Sequence, residues 1–123
     1  MLTELPSRQA PGEPRRRWFR DEDFDLIVWL AHDGAIDGFQ LCYTSDGVEH
    51  ALTWTRTGGY SHNRIDDGEG GAAKNQTPIL VADGRFPGSE VVSGFEQHSA
   101  QLDATIRAFV IAKARAYTNR SAD

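Results

Sequence analysis

The chain has 123 residues, of which 39% are hydrophobic and 25% charged, and its formal net charge is −5 at pH 7. This length suits one domain, and the three Trp, six Phe and three Tyr argue against a disordered chain. The acidic balance excludes nucleic acid as the expected main partner, because phosphate binding relies on clustered Lys and Arg. No apolar run is long enough to cross a bilayer, so we expect no membrane partner and a cytoplasmic location.

The first 14 residues contain Pro6, Pro11 and Pro14 and almost no large apolar side chains. This composition predicts a disordered N-terminal tail over residues 1–14. The run Arg15–Arg17 is interpreted as a solvated flank. A single α+β domain is predicted over residues 15–118, followed by a frayed C-terminus over residues 119–123.

Three β-like segments follow one another with an Asp-Gly pair between each two. They are Phe24–Ala31, Ile36–Thr44 and Val48–Arg56, separated by Asp33–Gly34 and Asp46–Gly47. Asp-Gly is a strong signal for a two-residue hairpin turn, in which both residues adopt positive φ. The pattern predicts a three-stranded antiparallel meander.

The two predicted turns imply pairings between the strands. The first turn gives the pairs His32–Ala35, Leu30–Asp37, Val28–Phe39, Leu26–Leu41 and Phe24–Tyr43. The second gives Ser45–Val48, Tyr43–His50, Leu41–Leu52 and Phe39–Trp54. Both registers collect the large apolar residues on one face, which supports the pairing because a one-residue slip would reverse the faces. The other face is mixed, and on it Trp29 lies opposite Gly38, where a ring can cover a glycine.

The C-terminal third supplies helices to cover the apolar face. Ser89 is a candidate N-cap for a first helix and Asp103 for a second. The predicted buried stripes are Val92, Phe95, Ser99 and Leu102 in the first helix and Ile106, Phe109, Val110, Ala114 and Tyr117 in the second. A short fourth strand is predicted at residues 78–82. The predicted fold class is α+β, with a three- to four-stranded, mainly antiparallel sheet packed against two C-terminal helices.

Between the third strand and these elements, residues 57–77 are predicted to form a glycine-rich loop. A loop of that length in a compact domain is usually functional or disordered. Imidazole and carboxylate groups are typical ligands of divalent metals, although their spacing here matches no established motif. The candidate metal ligands are His62, Asp66, Asp67 and Glu69. The alternative interpretation is a polar loop with solvated carboxylates, and no other cofactor is predicted.

A second candidate site lies on the predicted apolar face, where His50 pairs with Tyr43. Tyr43, His50 and Trp54 could line a pocket, or the histidine could be a core residue with a satisfied hydrogen bond. Cys42 is interpreted as inert, because its predicted neighbour Asp25 is a carboxylate that would raise the thiol pKa.

The segments FDLIVW (24–29), GFQLCY (38–43), EHALTW (49–54), GYSH (59–62) and DDGE (66–69) resemble those of small uncharacterised bacterial proteins. The resemblance covers roughly residues 15–117. It implies a bacterial cytosolic protein and carries no activity.

Two functions remain open from the sequence. The first is a non-enzymatic binding or protein-interaction domain that uses the second sheet face or the 57–77 loop, with either a second copy of the chain or another protein as its partner. The alternative is a small metal-dependent hydrolase or metal-binding protein that uses the 60–69 segment.

Overall fold

The computed structural model describes residues 1–6, 15–45, 47–66, 79–82 and 86–121, with no description of the side chains of residues 66, 79–82 and 119–121. Within these ranges the protein is α+β, and seven strands form one antiparallel sheet in chain order. The strands are β1 (Thr3–Leu5), β2 (Arg15–Arg20), β3 (Phe24–Leu30), β4 (Ile36–Ser45), β5 (Val48–Thr55), β6 (Gly59–Asp66) and β7 (Ile79–Ala82). The helices are α1 (Gly88–His98) and α2 (Ala104–Ser121). Neither described helix is long and apolar enough to span a membrane.

The predicted fold class is confirmed, but the predicted number of strands is too low. Part of the expected 57–77 loop is β6, which pairs with β5 from Thr55–Gly59 to His50–Arg64. Along β6, Tyr60 and His62 point to the core and Ser61 and Asn63 point away. The sequence did not predict this strand, because β6 has few apolar residues and its alternation is therefore not visible as a hydrophobic pattern. The rest of the expected loop, residues 67–77, lies outside the described residues.

The N-terminal segment also departs from the expected tail. Leu2 is 1% exposed, and its N–H donates to the carbonyl of His98 at 2.9 Å. Thr3–Leu5 pair with β2, so the prediction of disorder does not hold for residues 2–5. The expected arginine flank is itself part of β2, in which Phe19 is buried and Arg17 forms a two-contact ion pair with Glu4 at 2.7 and 2.9 Å.

The register of the meander agrees with the prediction over most of its length. Every predicted pair of the second hairpin is present, as are the Phe24–Tyr43, Leu26–Leu41, Val28–Phe39 and Trp29–Gly38 pairs of the first. Leu30, however, pairs with Ile36 and not with Asp37. The N–H of Ala31 donates to the carbonyl of Ala35, and Gly34 has φ +89°, which makes the loop three residues long rather than two.

Asp37 is the extra residue that offsets this longer loop, and it forms a bulge between Ile36 and Gly38. Arg56 holds the bulge in place: its N–H donates to the Asp37 carbonyl at 2.8 Å and its Nε lies 3.1 Å from Asp37 Oδ1. The two deviations cancel, and for this reason the predicted register is correct from Trp29–Gly38 onward.

Both helices pack on one face of the sheet, which is called the core face here. Phe95 on α1 meets Phe24 edge-to-face with 5.9 Å between ring centroids, and Phe109 on α2 meets Phe39 at 6.4 Å. The apolar side chains of this core are fully or nearly fully buried. On the sheet they are Phe19, Phe24, Leu26, Val28, Phe39, Leu41, Tyr43 and Leu52, and on the helices Val91, Val92, Phe95, Ile106, Val110, Ile111 and Ala114.

The helix caps follow the prediction in one of two cases. Asp103 caps α2, because its Oδ1 accepts from the N–H groups of Thr105 at 2.9 Å and Ile106 at 3.3 Å. The prediction of Ser89 as the N-cap of α1 is wrong. The helix begins at Gly88, and Pro87 occupies the cap position without a side-chain hydrogen bond.

Candidate functional site

Three places in the described structure combine polar or aromatic groups in a way that suggests a function. They are an aromatic cluster inside the core face, a cleft beside α1, and the sheet face that carries no described helix. The first was partly foreseen from the sequence, the second was missed, and the third was identified as the mixed face of the meander.

The aromatic cluster joins residues from two separate sequence predictions. Tyr43 and His50, predicted to share a pocket, stack with 5.3 Å between centroids and a 17° interplanar angle. His62, predicted as a metal ligand, lies in the same cluster, and its Nε2 is 2.5 Å from the Tyr43 hydroxyl. Trp54 is four residues further along β5, where it packs on Phe109 and lies 4.1 Å under the Nζ of Lys113. The structure therefore separates Trp54 from the other two pocket candidates.

The cluster is closed by further rings. Phe86 contacts Tyr43 and His62 edge-to-face at 5.9 and 5.3 Å, and Tyr117 packs on Phe86 at 5.6 Å. His62 is 5% exposed and Tyr43 4%. A hydrogen-bonded Tyr–His pair enclosed by aromatic rings is a satisfied polar element of the core.

The predicted metal set is only partly described. His62 uses its Nε2 for the bond with Tyr43. The side chain of Asp66 and the whole of Asp67 and Glu69 lie outside the described residues. Metal binding by these four residues therefore stays a prediction, which a titration with Zn²⁺, Mn²⁺ and Mg²⁺ monitored at His62 would test.

A cleft of about 240 Å³ opens between the beginning of β3, the end of β4 and α1. Its lining consists of Asp23, Phe24, Tyr43, Thr44, Ser45, Pro87, Glu90, Val91, Gly94 and His98. His98 stands at one end between two carboxylates: Nδ1 is 2.6 Å from Asp21 Oδ2 and Nε2 is 3.3 Å from Asp23 Oδ2. An imidazolium ring can donate to both carboxylates at once.

Asp21 is the most constrained member of this group, with a side chain 2% exposed. Burial alone would raise the pKa of Asp21. The hydrogen bond with His98 and those from the backbone N–H groups of Asp23 and Phe24 outweigh burial and hold this pKa below its ordinary value. The N-terminal ammonium lies 3.6 Å from the same carboxylate.

Asp21, Glu22 and His98 each place a potential metal-ligand atom within 4.8 Å of the others. The Asp21 carboxylate already accepts two backbone N–H groups and contacts His98, so its hydrogen bonds account for its position. The group ties the N-terminus, the β2–β3 turn and the end of α1 together. Nothing in the sequence signalled it, because its members lie 77 residues apart.

The face of the sheet opposite the core face is called the second face. Because side chains alternate along strands, the register assigns its members directly. In strand order they include Leu5, Trp18, Ile27, Trp29, Gln40, Cys42, Ala51, Thr53, Thr55, Ser61, Asn63 and Ile65. Trp18 donates from Nε1 to Asp25, and Thr53 donates to Gln40 Oε1 at 3.2 Å, so the polar atoms of this face are partly paired among themselves.

The second face has an uneven relief, meaning that its side chains are large on one side of the sheet and smaller on the other. Trp18, Ile27 and Trp29 on β2 and β3 form a ridge of large apolar side chains, each partly exposed. On β4 to β6 most second-face residues are small, the larger ones being Gln40, Asn63 and Ile65, and Cys42 and Ala51 are only 9% and 0% exposed among their neighbours. Burial raises the pKa of the Cys42 thiol to about 12, which agrees with the interpretation of this cysteine as unreactive.

Comparisons of the chain with models of protein families, with curated proteins and with solved structures find no match.

Proposed function

We propose that this chain is a non-enzymatic protein-interaction domain whose binding surface is the second face. The observation that carries the proposal is the ridge of Trp18, Ile27 and Trp29 on a face that neither described helix covers. Aromatic residues are enriched at protein interfaces, and contiguous apolar surface on a small domain marks interaction sites.

The distribution of polar groups supports binding of a protein surface more than catalysis. Tyr43 and His62 are hydrogen-bonded to each other inside the core, and Asp21 and His98 hold the N-terminal segment to α1. The Cys42 thiol, with its raised pKa, is a poor nucleophile. Each of these groups thus has a structural role in the described part of the chain. On the ridge, Trp29 lies opposite Gly38 and Trp18 donates to Asp25, and all three apolar side chains stay partly exposed.

Site-specific photo-crosslinking tests the proposal. A benzophenone amino acid replaces Glu49, an exposed residue at the rim of the second face, and a matched variant carries it in place of Ala112, exposed on the outer side of α2. Irradiation in the organism that encodes the chain is expected to give a discrete protein adduct from position 49 and none from position 112. Absence of any adduct at position 49, or equal labelling at both positions, would contradict the proposal.

A further inference from the structure

We infer that the partner of the second face is a second copy of the same chain, docked sheet to sheet about a two-fold axis that runs along β4. This inference rests on the proposed function, because it names the partner for the same surface. It is argued from the relief of the face, its area and its charges.

The relief makes the face self-complementary in one orientation. β4 is the middle strand of the five from β2 to β6. A two-fold axis parallel to β4 therefore places β3 of one copy over β5 of the other, and β2 over β6. The ridge of each copy then meets the small residues of its partner: Ile27 faces the partner's Thr53, Trp29 faces the partner's Thr55 and Trp18 faces the partner's Ser61.

The rows that define these contacts come from the observed register. Trp18, Ile27, Gln40, Thr53 and Ser61 lie in one row across the sheet, and Trp29, Gly38, Thr55 and Gly59 lie in the next. Rotation about an axis parallel to the strands does not change the position of a row along the strand direction, so each row faces the same row of the partner. An axis perpendicular to the strands would set β3 on β3 instead, so that ridge meets ridge and the small residues enclose a void, which is costly.

The area is sufficient for a stable pair. Five strands about 4.8 Å apart, each presenting about six residues at about 3.3 Å per residue, give roughly 500 Å² of sheet per copy. Two such faces bury about 1,000 Å² when each sheet is treated as flat, and side chains that project from the sheet increase this area. A total of about 1,000 Å² is the lower bound expected of a specific interface. Two antiparallel sheets packed face to face form a β-sandwich, a common arrangement with strands inclined by about 30°.

The charges favour the same orientation. The basic residues of the face are Arg16 and Arg20 on β2, and its acids include the exposed Glu49 on β5 and the partly exposed Asp25 on β3. The axis along β4 brings β2 over β6 of the partner, so Arg20, which lies 3.8 Å from Asp25 of its own chain, faces the partner's Asn63, with the partner's Glu49 one strand and one row away. The perpendicular axis would place β2 on β2 and oppose the arginines of the two copies, which is unfavourable.

A bump-and-hole series in the full chain tests the contact between Ile27 and the partner's Thr53. Ile27→Ala opens a hole and Thr53→Leu adds a bump, and each alone is expected to raise the dimer Kd roughly ten- to a hundred-fold in sedimentation equilibrium. The double variant is expected to recover most of the loss, because the introduced leucine fills the space that the isoleucine left in the other copy. Within one chain the two residues are separated by Gln40 on the intervening strand, so intramolecular compensation does not explain a recovery.

Val48→Lys is the control, since Val48 is an exposed apolar residue that the register places on the core-face side, and it should leave the Kd unchanged. Circular dichroism of each variant establishes that it is folded. A wild-type chain that stays at its 13.6 kDa monomer mass at millimolar concentration overturns the inference. Losses in the two single variants that add up in the double variant overturn it as well.

The crosslink at position 49 separates failure of this inference from failure of the proposed function. An adduct of twice the chain mass supports the second copy. An adduct with a different protein overturns the homodimer and leaves the second face as an interaction surface. The absence of any adduct would contradict both the homodimer and the proposed function.

Discussion

Trp29 lies directly opposite Gly38 in the β3–β4 ladder, and the backbone of β5 approaches Gly38 so closely that no side chain fits there. A Cβ at Gly38 would be 2.6 Å from the carbonyl oxygen of Trp54 and 3.0 Å from Cγ2 of Thr55. The glycine is therefore required by strand packing. The bulge at Asp37 immediately before it draws the Arg56 N–H onto the Asp37 carbonyl at this same point of the sheet.

Gly38→Ala is expected to lower the free energy of unfolding by about 1–3 kcal/mol, the usual cost of overpacking. Denaturant unfolding at pH 7 measures it. Because the nearest atom is a backbone oxygen, adding Thr55→Ser should not restore the stability. Full recovery in that double variant would show that the Thr55 methyl group is the relevant contact.

The crossing of the two helices depends on a second glycine. A Cβ at Gly88, at the beginning of α1, would overlap Oγ1 of Thr118 on α2. Gly88→Ala should destabilise the protein by about 1–3 kcal/mol through this overlap. The Cβ of Thr118 lies 2.6 Å from the same position, so Thr118→Gly should restore more of the lost stability than Thr118→Ala. Thermal denaturation of the wild type, Gly88→Ala and the two double variants distinguishes these outcomes, and equal rescue by both substitutions would contradict the predicted geometry.

The lowered pKa of Asp21 predicts the direction of acid destabilisation. Its carboxylate is ionised over a wider pH range in the folded protein than in the unfolded chain, where an aspartate has a pKa of about 3.9. The stabilisation is complete above that value and is lost as the pH falls through the lower folded pKa.

Asp21→Asn should therefore show a shallower loss of stability below about pH 4 than the wild type. Denaturant unfolding between pH 2 and 6 measures both proteins. The hydrogen bond from Arg17 also lowers the pKa of Glu4, so Glu4 contributes to the acid destabilisation in the same direction as Asp21. Because Glu4 is present in both proteins, the difference between their stability curves reports on Asp21. Parallel curves would refute the assignment.

Tyr43→Phe removes the Tyr43 hydroxyl, so Nε2 of His62 loses its hydrogen bond with this buried group. Loss of a buried hydrogen-bond partner costs about 1–3 kcal/mol, and this is the expected destabilisation. Tyr60→Phe is the matched control, since the Tyr60 hydroxyl donates to the Lys113 carbonyl at 2.8 Å in a half-buried place. Urea unfolding should show the larger loss for Tyr43→Phe; the reverse order would indicate that the Tyr43–His62 contact contributes little.

With a pKa of about 12, the Cys42 thiol is almost entirely protonated at pH 8. We expect its reaction with a disulfide reagent to be much slower in the folded protein than in guanidinium chloride, where cysteine has a pKa of about 8.5. Absorbance of the released thiolate follows the rate. Comparable rates in the two conditions would mean that the thiol is accessible and ionised in the folded state.

Local sequence patterns were sufficient for the centre of the fold. Alternation of large apolar residues around two Asp-Gly pairs predicts β3 to β5, and most of their register, because a one-residue slip would expose the core. The same reasoning identifies Asp103 as the cap of α2 and the apolar stripe of that helix. It fails where a strand lacks apolar residues, as in β6, or where it is short and polar, as in β1, since pairing with a neighbour stabilises these strands.

The sequence by itself determined the class of the fold, the core face and the mixed character of the second face. The tertiary structure alone decided which distant residues meet: His62 with Tyr43, His98 with Asp21, and Gly88 with Thr118. The physical reason is that periodicity reports burial along one element. Contacts between elements depend on how far apart and at what angle they pack, and no local pattern of residues encodes that distance.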